Sequence, residues 1–233
     1  MRAIGNSLEA LSHLFFPHIC YGCGSDLLSQ EMILCLRCRN GLPDTDFAKF
    51  ENNPIEKIFW GRLQVSAAFS QYYFTKDSLI QTLIHQLKYK GKKEVGTDLG
   101  KMMGHSLLQS SRFSNIDAVI PLPLFPDKEK KRGYNQATML CEGISEKTKV
   151  PILYDAIKRV RFTETQTRKS RMERWQNVEG VFEVSDHQKL TGKNILLVDD
   201  VITTGATLEA CGNIISAIPG VSVFVATLAY AVQ

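Results

Sequence analysis

From Val65 onward the chain switches between two hydrophobic rhythms. Val65 to Phe74 alternates apolar and polar residues well enough to predict a strand. Between 77 and 89, Leu79, Ile80, Leu83, Ile84 and Leu87 recur with helical spacing on one face, and Asp77 is the expected N-cap. A second helix is expected over 94–110. The pattern then predicts a strand at 116–120, a helix at 134–147, a short extended piece near 152–155, a strand at 195–198, a helix at 206–217 and a strand at 221–229. Strands alternating with helices predict an α/β domain built on a mostly parallel sheet covered on both faces. Upstream, Ile4, Leu8, Leu11, Leu14 and Phe15 predict a helix within 1–15. Residues 44–62 are polar and irregular, with Pro54 and two Asn, and read as a linker. The expected division is therefore 1–62 and 63–233.

Composition narrows the class. The 233 residues are 44% hydrophobic and 22% charged, with a net charge of +4. That suits one medium domain, or one domain with a small appendage, and excludes lasting disorder. The longest mostly apolar run, Val221 to Val232, is too short to span a bilayer, so no membrane insertion is expected. Glu9 and His13 interrupt the apolar residues near the N-terminus, which argues against a signal peptide. A cytoplasmic protein is expected.

Four of the six cysteines, Cys20, Cys23, Cys35 and Cys38, form a C-x2-C-x11-C-x2-C pattern. Each C-x-x-C turn aims two thiolates at one point, and two such turns complete a tetrahedral zinc site. Gly22 and Gly24 suit the first turn. Two disulfides are the alternative, disfavoured in a reducing compartment. Four protein ligands leave no open position, so the zinc is structural. Cys141 and Cys211 sit in apolar periodic stretches and read as buried and inert.

The segment carrying the most chemistry runs from Asn194 to Thr207. Its apolar run, Ile195 to Val198, predicts a buried parallel strand, followed by Asp199 and Asp200 and a Thr- and Gly-rich turn into a helix. Ligands of open α/β sheets bind beyond the carboxyl ends of the strands. Amides between Thr203 and Thr207 can take a phosphate at the helix N-terminus, and Gly205 lets the backbone come close. Asp199 and Asp200 would repel a bare phosphate. They make sense with a ligand that also carries hydroxyls or a metal, such as a ribose 5-phosphate. The bland alternative is an ordinary strand–turn–helix with an acidic turn. Neither a Walker A loop nor a G-x-G-x-x-G is present.

This segment resembles the phosphoribosyl pyrophosphate (PRPP) loop of type I phosphoribosyltransferases. Further motifs occur in order: Leu87-Lys88-Tyr89-Lys90-Gly91, Pro121-Leu122-Pro123-Leu124, and Lys131-Arg132-Gly133-Tyr134-Asn135-Gln136-Ala137. Thr163, Thr165-Gln166, Arg171, Arg174, Asn177-Val178 and Phe182 follow. Together with the cysteines they resemble the ComF family of competence-associated, phosphoribosyltransferase-like proteins, over nearly the whole chain from about Cys20. The resemblance implies a type I phosphoribosyltransferase-like sheet flanked by helices, behind a small four-cysteine module. It implies that Asp199 and Asp200 bind the ribose hydroxyls, with Mg²⁺, while Val201, Ile202, Thr203, Thr204, Gly205, Ala206 and Thr207 form the PRPP loop. Pro121 and Leu122 would belong to the pyrophosphate loop, and Leu122–Pro123 could take the cis form at low cost. Residues 161–176 would be a loop that closes over the site. Arg171 and Arg174 would stabilise the leaving pyrophosphate.

Charge agrees with a polyanionic ligand. Between 158 and 174, Lys158, Arg159, Arg161, Arg168, Lys169, Arg171 and Arg174 outnumber Glu164 and Glu173. Guanidinium forks fit phosphate oxygens, whether of pyrophosphate or of a nucleic-acid backbone. Lys88, Lys90, Lys92 and Lys93 form another group, equally readable as a solvated surface. Two functions follow: a phosphoribosyltransferase with an unidentified acceptor, or a single-stranded DNA-binding protein of the DNA-uptake machinery with PRPP as a regulatory ligand. Phe15, Phe16 and Tyr21 are candidate stacking residues in the second, or simply pack the metal module.

Overall fold

The computed structural model describes residues 18–26, 32–160 and 180–231. The helix expected within 1–15 and the loop expected at 161–176 lie outside them. The described elements run as α1 (Leu36–Asn40), α2 (Pro54–Phe59), β1 (Ala67–Phe74), α3 (Leu79–Tyr89), α4 (Lys93–Leu108) and β2 (Ala118–Pro121). They continue with α5 (Pro126–Arg132), α6 (Gln136–Thr148), β3 (Ile157–Arg159), β4 (Phe182–Val184), β5 (Asn194–Ile202), α7 (Ala206–Ser216) and β6 (Ser222–Ala231).

Four strands form one parallel sheet in the order β1-β6-β5-β2. Ile195 to Val198 are buried without a break, because helices cover both faces. This is the type I phosphoribosyltransferase-like arrangement expected of the sequence. β3 and β4 form a separate antiparallel pair that the periodicity did not reveal; each is only three residues long.

Packing between α4 and α6 is unusually close. Gly96, Gly100 and Gly104 of α4 lie four residues apart, on the side facing α6. A Cβ on Gly100 would collide with the carbonyl of Leu140, and one on Gly143 with the carbonyl of Thr97. Backbone therefore meets backbone at this crossing, and no side chain fits between.

Two local expectations need correction. Asp77 does not cap α3. It has φ 59°, and Ser78 is the N-cap, its hydroxyl accepting from the Gln81 amide at 3.3 Å. Residues 44–62 are no linker. Phe47, Ile55 and Phe59 are buried, and Asn53 both caps α2 and donates to the carbonyls of Phe47, Phe50 and Ala68. Glu56 pairs with Arg112 and accepts from the Ala68 amide at 3.2 Å. The polarity that suggested exposure belongs to side chains that satisfy buried backbone groups.

No cis peptide occurs among the described residues, so Leu122–Pro123 is trans. Among them, no helix is long and apolar enough to cross a membrane.

Candidate functional site

β5 runs further than its apolar stretch suggests. It continues through Asp199 and Asp200 to Ile202, because pairing with β6 persists to Ile202–Tyr230. Thr203 and Thr204 then bend the chain, and Gly205 starts α7 at φ 73°. Among the described residues no side chain caps this helix. Its first amides lack intrahelical partners and stand at the positive end of an eleven-residue helix. Thr203 is exposed and Thr204 half-buried, so their hydroxyls are within reach of a ligand. The side chain of Ile202 is core, which leaves only its backbone for a ligand.

The acid pair is held by its surroundings rather than by solvent. Asp200 is buried and pairs with Lys88 of α3 at 2.8 Å. Its amide donates to Asp199 Oδ1 at 2.8 Å. Loss of solvent pushes Asp199 up to about 7, and the charge of Asp200 adds to the effect. The Asp200 amide, Lys88 and Arg159 oppose it. Asp199 thus titrates near neutrality, beside a carboxylate that has its own ammonium.

Pro121 and Leu122 border this strand end. Pro121 pairs with Val198, and the Leu122 amide donates to the Val198 carbonyl at 2.8 Å. Asn135 holds the Leu122 carbonyl at 2.9 Å while capping α6. The residues Pro121, Leu122 and Asp199 to Thr207 therefore converge at one edge of the sheet. Arg171 and Arg174 lie outside the described residues.

Lys88 is the main residue the sequence left undecided. Tyr134 brings it into place: its hydroxyl donates to the Leu87 carbonyl, and its ring packs with Leu87 and Met139. Two motifs, L-K-Y-K-G and R-G-Y-N-Q-A, are thereby one structural unit, joined by a contact across 47 positions. The signal was the presence of Lys88 inside the first motif. Cations also gather nearby. Lys128 is held below the usual lysine range by burial, then by Arg159 and Arg132. A cavity of about 850 Å³ opens beside Trp60, Arg62 and Arg112 rather than over the acid pair.

The four N-terminal cysteines form the second site. Their Sγ atoms all lie within 4.8 Å of one another, and Cys23 and Cys35 are 3.7 Å apart. A tetrahedron with metal–sulfur bonds of about 2.3 Å has edges of about 3.8 Å, so the cluster fits a metal ion. The Cys35 amide points at Cys20 Sγ (3.3 Å) and the Cys38 amide at Cys35 Sγ (3.4 Å), which favours thiolates. Ser25 lowers Cys23 to about 6. The module sits on the main body: Tyr21 donates to Glu94 of α4 at 2.6 Å, and Gly22 lies against Leu79 of α3.

Comparisons with known proteins agree with this geometry. The phosphoribosyl transferase domain family matches residues 135–231. DNA utilization protein YhgH of Escherichia coli O157:H7 is 30% identical over 210 residues, covering 88% of this chain and 86% of that protein. Competence protein F of Haemophilus influenzae is 30% identical over 140 residues, covering 58% of this chain and 61% of that protein. The chain thus spans less than two thirds of the Haemophilus relative. Competence protein ComFC of Bacillus subtilis is 27% identical over 198 residues, covering 82% of this chain and 75% of that protein. With a four-cysteine module, a parallel sheet carrying a phosphoribosyl transferase domain and relatives aligned over most of its length, this chain belongs to the ComF family.

Proposed function

We propose that the β5–α7 turn binds PRPP together with Mg²⁺ and that the protein transfers the phosphoribosyl group to an acceptor yet to be identified. One observation carries the reading: two adjacent carboxylates, Asp199 and Asp200, lead into a Thr- and Gly-rich helix start that no side chain among the described residues caps. A phosphate on the amides of Thr203 to Thr207 leaves the sugar's hydroxyls beside the carboxylates. Val201 and Ile202 take part through their backbone.

Transfer breaks the bond from C1 of the ribose to a pyrophosphate oxygen, whose electron pair leaves with the pyrophosphate. A lone pair of the acceptor forms the new bond to C1. Mg²⁺ supplies charge neutralisation at the pyrophosphate when bound. Asp199 and Asp200 orient the ribose and hold its cation, and Lys88 yields Asp200 as the ligand enters. Arg171 and Arg174, together with Lys128, Arg132 and Arg159, are the proposed partners of the leaving group. Cys20, Cys23, Cys35 and Cys38 are proposed to hold a structural zinc ion.

The names of the relatives motivate a role in handling incoming DNA. A second reading is a non-catalytic single-stranded DNA-binding protein with PRPP as its regulatory ligand. Tyr89 favours it: the residue is 68% exposed, Arg132 lies over its ring, and Lys90, Lys92 and Lys93 follow it in the sequence. Calorimetric titration with PRPP and Mg²⁺ tests the shared premise. Wild-type protein binds, and Asp200→Asn combined with Thr204→Ala binds much more weakly. Equal binding by both would remove the site assignment. Pyrophosphate release in the presence of candidate acceptors then separates the two readings.

A further inference from the structure

We propose that Arg62, at the end of the segment that reads as a linker, is a positioning residue that sets the orientation of the phosphate-binding turn. The inference rests on the ribose-phosphate reading of that turn and adds the element that holds it in its binding form.

Arg62 makes three contacts from one guanidinium. Its Nη1 donates to the Ile58 carbonyl at 3.2 Å and to the Thr204 carbonyl at 3.0 Å. Its Nη2 pairs with Glu209 of α7, whose side chain is only 9% exposed. The guanidinium thus ties α2, the turn and the first part of α7 together.

The contact with Thr204 has a directional consequence. The Thr204–Gly205 peptide is trans, so its carbonyl and its amide point in opposite directions. With the carbonyl drawn toward Arg62, the Gly205 amide is turned away from Arg62. The Gly205 carbonyl is also engaged, accepting from the Glu209 amide at 2.8 Å. Both carbonyls flanking Gly205 are therefore occupied on the protein side, so an anion at the turn meets amides rather than carbonyls.

This peptide needs such a restraint. Glycine visits positive and negative φ with similar ease, so a peptide preceding glycine can rotate by half a turn at little cost. A rotated Thr204–Gly205 unit would present a carbonyl, not an amide, to a phosphate. The packing around Gly205 supports the same form. A Cβ there would lie 2.7 Å from Ile58 Cγ2 and 3.2 Å from the Phe59 ring, so the residue is seated directly on α2. Seven residues on, Gly212 is seated in the same way on Leu63. One face of α7 is thus fitted to 58–63, and Arg62 is the polar lock at its N-terminal end.

The test uses the full chain labelled with ¹⁵N-glycine and titrated with ribose 5-phosphate and Mg²⁺. In wild type the Gly205 amide resonance shifts as the phosphate binds. Arg62→Gln weakens binding by about tenfold or more, the loss expected for charge-assisted bonds, and the Gly205 response disappears. Arg62→Lys, which keeps a charged donor, recovers part of both. Should Arg62→Gln fail to fold, Arg62→Lys and Glu209→Gln carry the comparison, each with reduced affinity and a reduced Gly205 shift. Variants that bind as tightly as wild type, with the same Gly205 shift, overturn the role of Arg62 and leave the ribose-phosphate reading standing. A wild-type protein that shows neither binding nor shift overturns the ribose-phosphate reading itself.

Discussion

Lys88 Nζ lies 2.8 Å from Asp200 Oδ2, joining the end of α3 to the strand that carries the acid pair. Both side chains are mostly buried, at 22% and 12% exposure. Removing the lysine leaves a carboxylate with little water to replace its partner. Lys88→Met is expected to lose about 1–3 kcal/mol in urea unfolding at pH 7. Adding Asp200→Asn should recover much of that loss, because the stranded charge goes with it. Additive losses in the double variant would show that the pair is not coupled.

Asp199 supplies a pH dependence of known sign. Its folded-state value of about 7 lies above the unfolded value of about 3.9, so the folded protein holds this proton more tightly. The associated stability is full below about pH 4 and is lost as pH rises through 7. Asp199→Asn removes the titration. Its stability relative to wild type should therefore rise between pH 5 and pH 8, followed by denaturant titration at each pH. A constant difference across that range would contradict the assignment.

A related outcome concerns binding. If the ribose and its cation engage ionised Asp199, binding near pH 7 must release a proton. Calorimetry with PRPP and Mg²⁺ in two buffers of different ionisation enthalpy should give different apparent enthalpies. Identical enthalpies would mean that Asp199 keeps its protonation state.

The α4–α6 crossing makes a prediction about stability alone. A methyl group at Gly143 or Gly100 must push two backbones apart, since the obstructing atoms are backbone and not movable side chains. Gly143→Ala is expected to cost about 3 kcal/mol in spite of its better helix propensity. Chemical denaturation would measure it, and a neutral or stabilising effect would mean that the helices are not in close contact.

The cysteine cluster predicts one equivalent of zinc by native mass spectrometry, lost in Cys38→Ser. The module is seated on α3 and α4 through Gly22 and Tyr21. Metal loss should therefore lower a single thermal transition of the whole chain. A separate low-temperature transition for the module would show that it is not coupled to the rest.

The parallel sheet, its helices, the cysteine cluster and the acid-then-glycine turn were all legible in the chain itself. Each is written in short-range spacing: apolar runs for buried strands, the 3.6-residue period for α3, paired C-x-x-C units for a four-sulfur site. β5 was read too short, because its last residues are held by pairing with β6 and not by their own hydrophobicity. Residues 44–62 were read as a linker for the converse reason, since Asn53 and Glu56 are polar in type yet spend their polarity on buried backbone.

What only the tertiary structure decided is which distant charges meet. Lys88 is one of four lysines within six residues, and nothing local distinguishes it from its neighbours. It becomes part of the site because Tyr134, 46 positions later, fixes the end of α3 against α6. Arg62 reaches Thr204 and Glu209 across more than 140 positions. Hydrophobic periodicity is a local code and determines elements. Ion pairs between elements depend on how those elements pack, and that is settled only when the whole core closes.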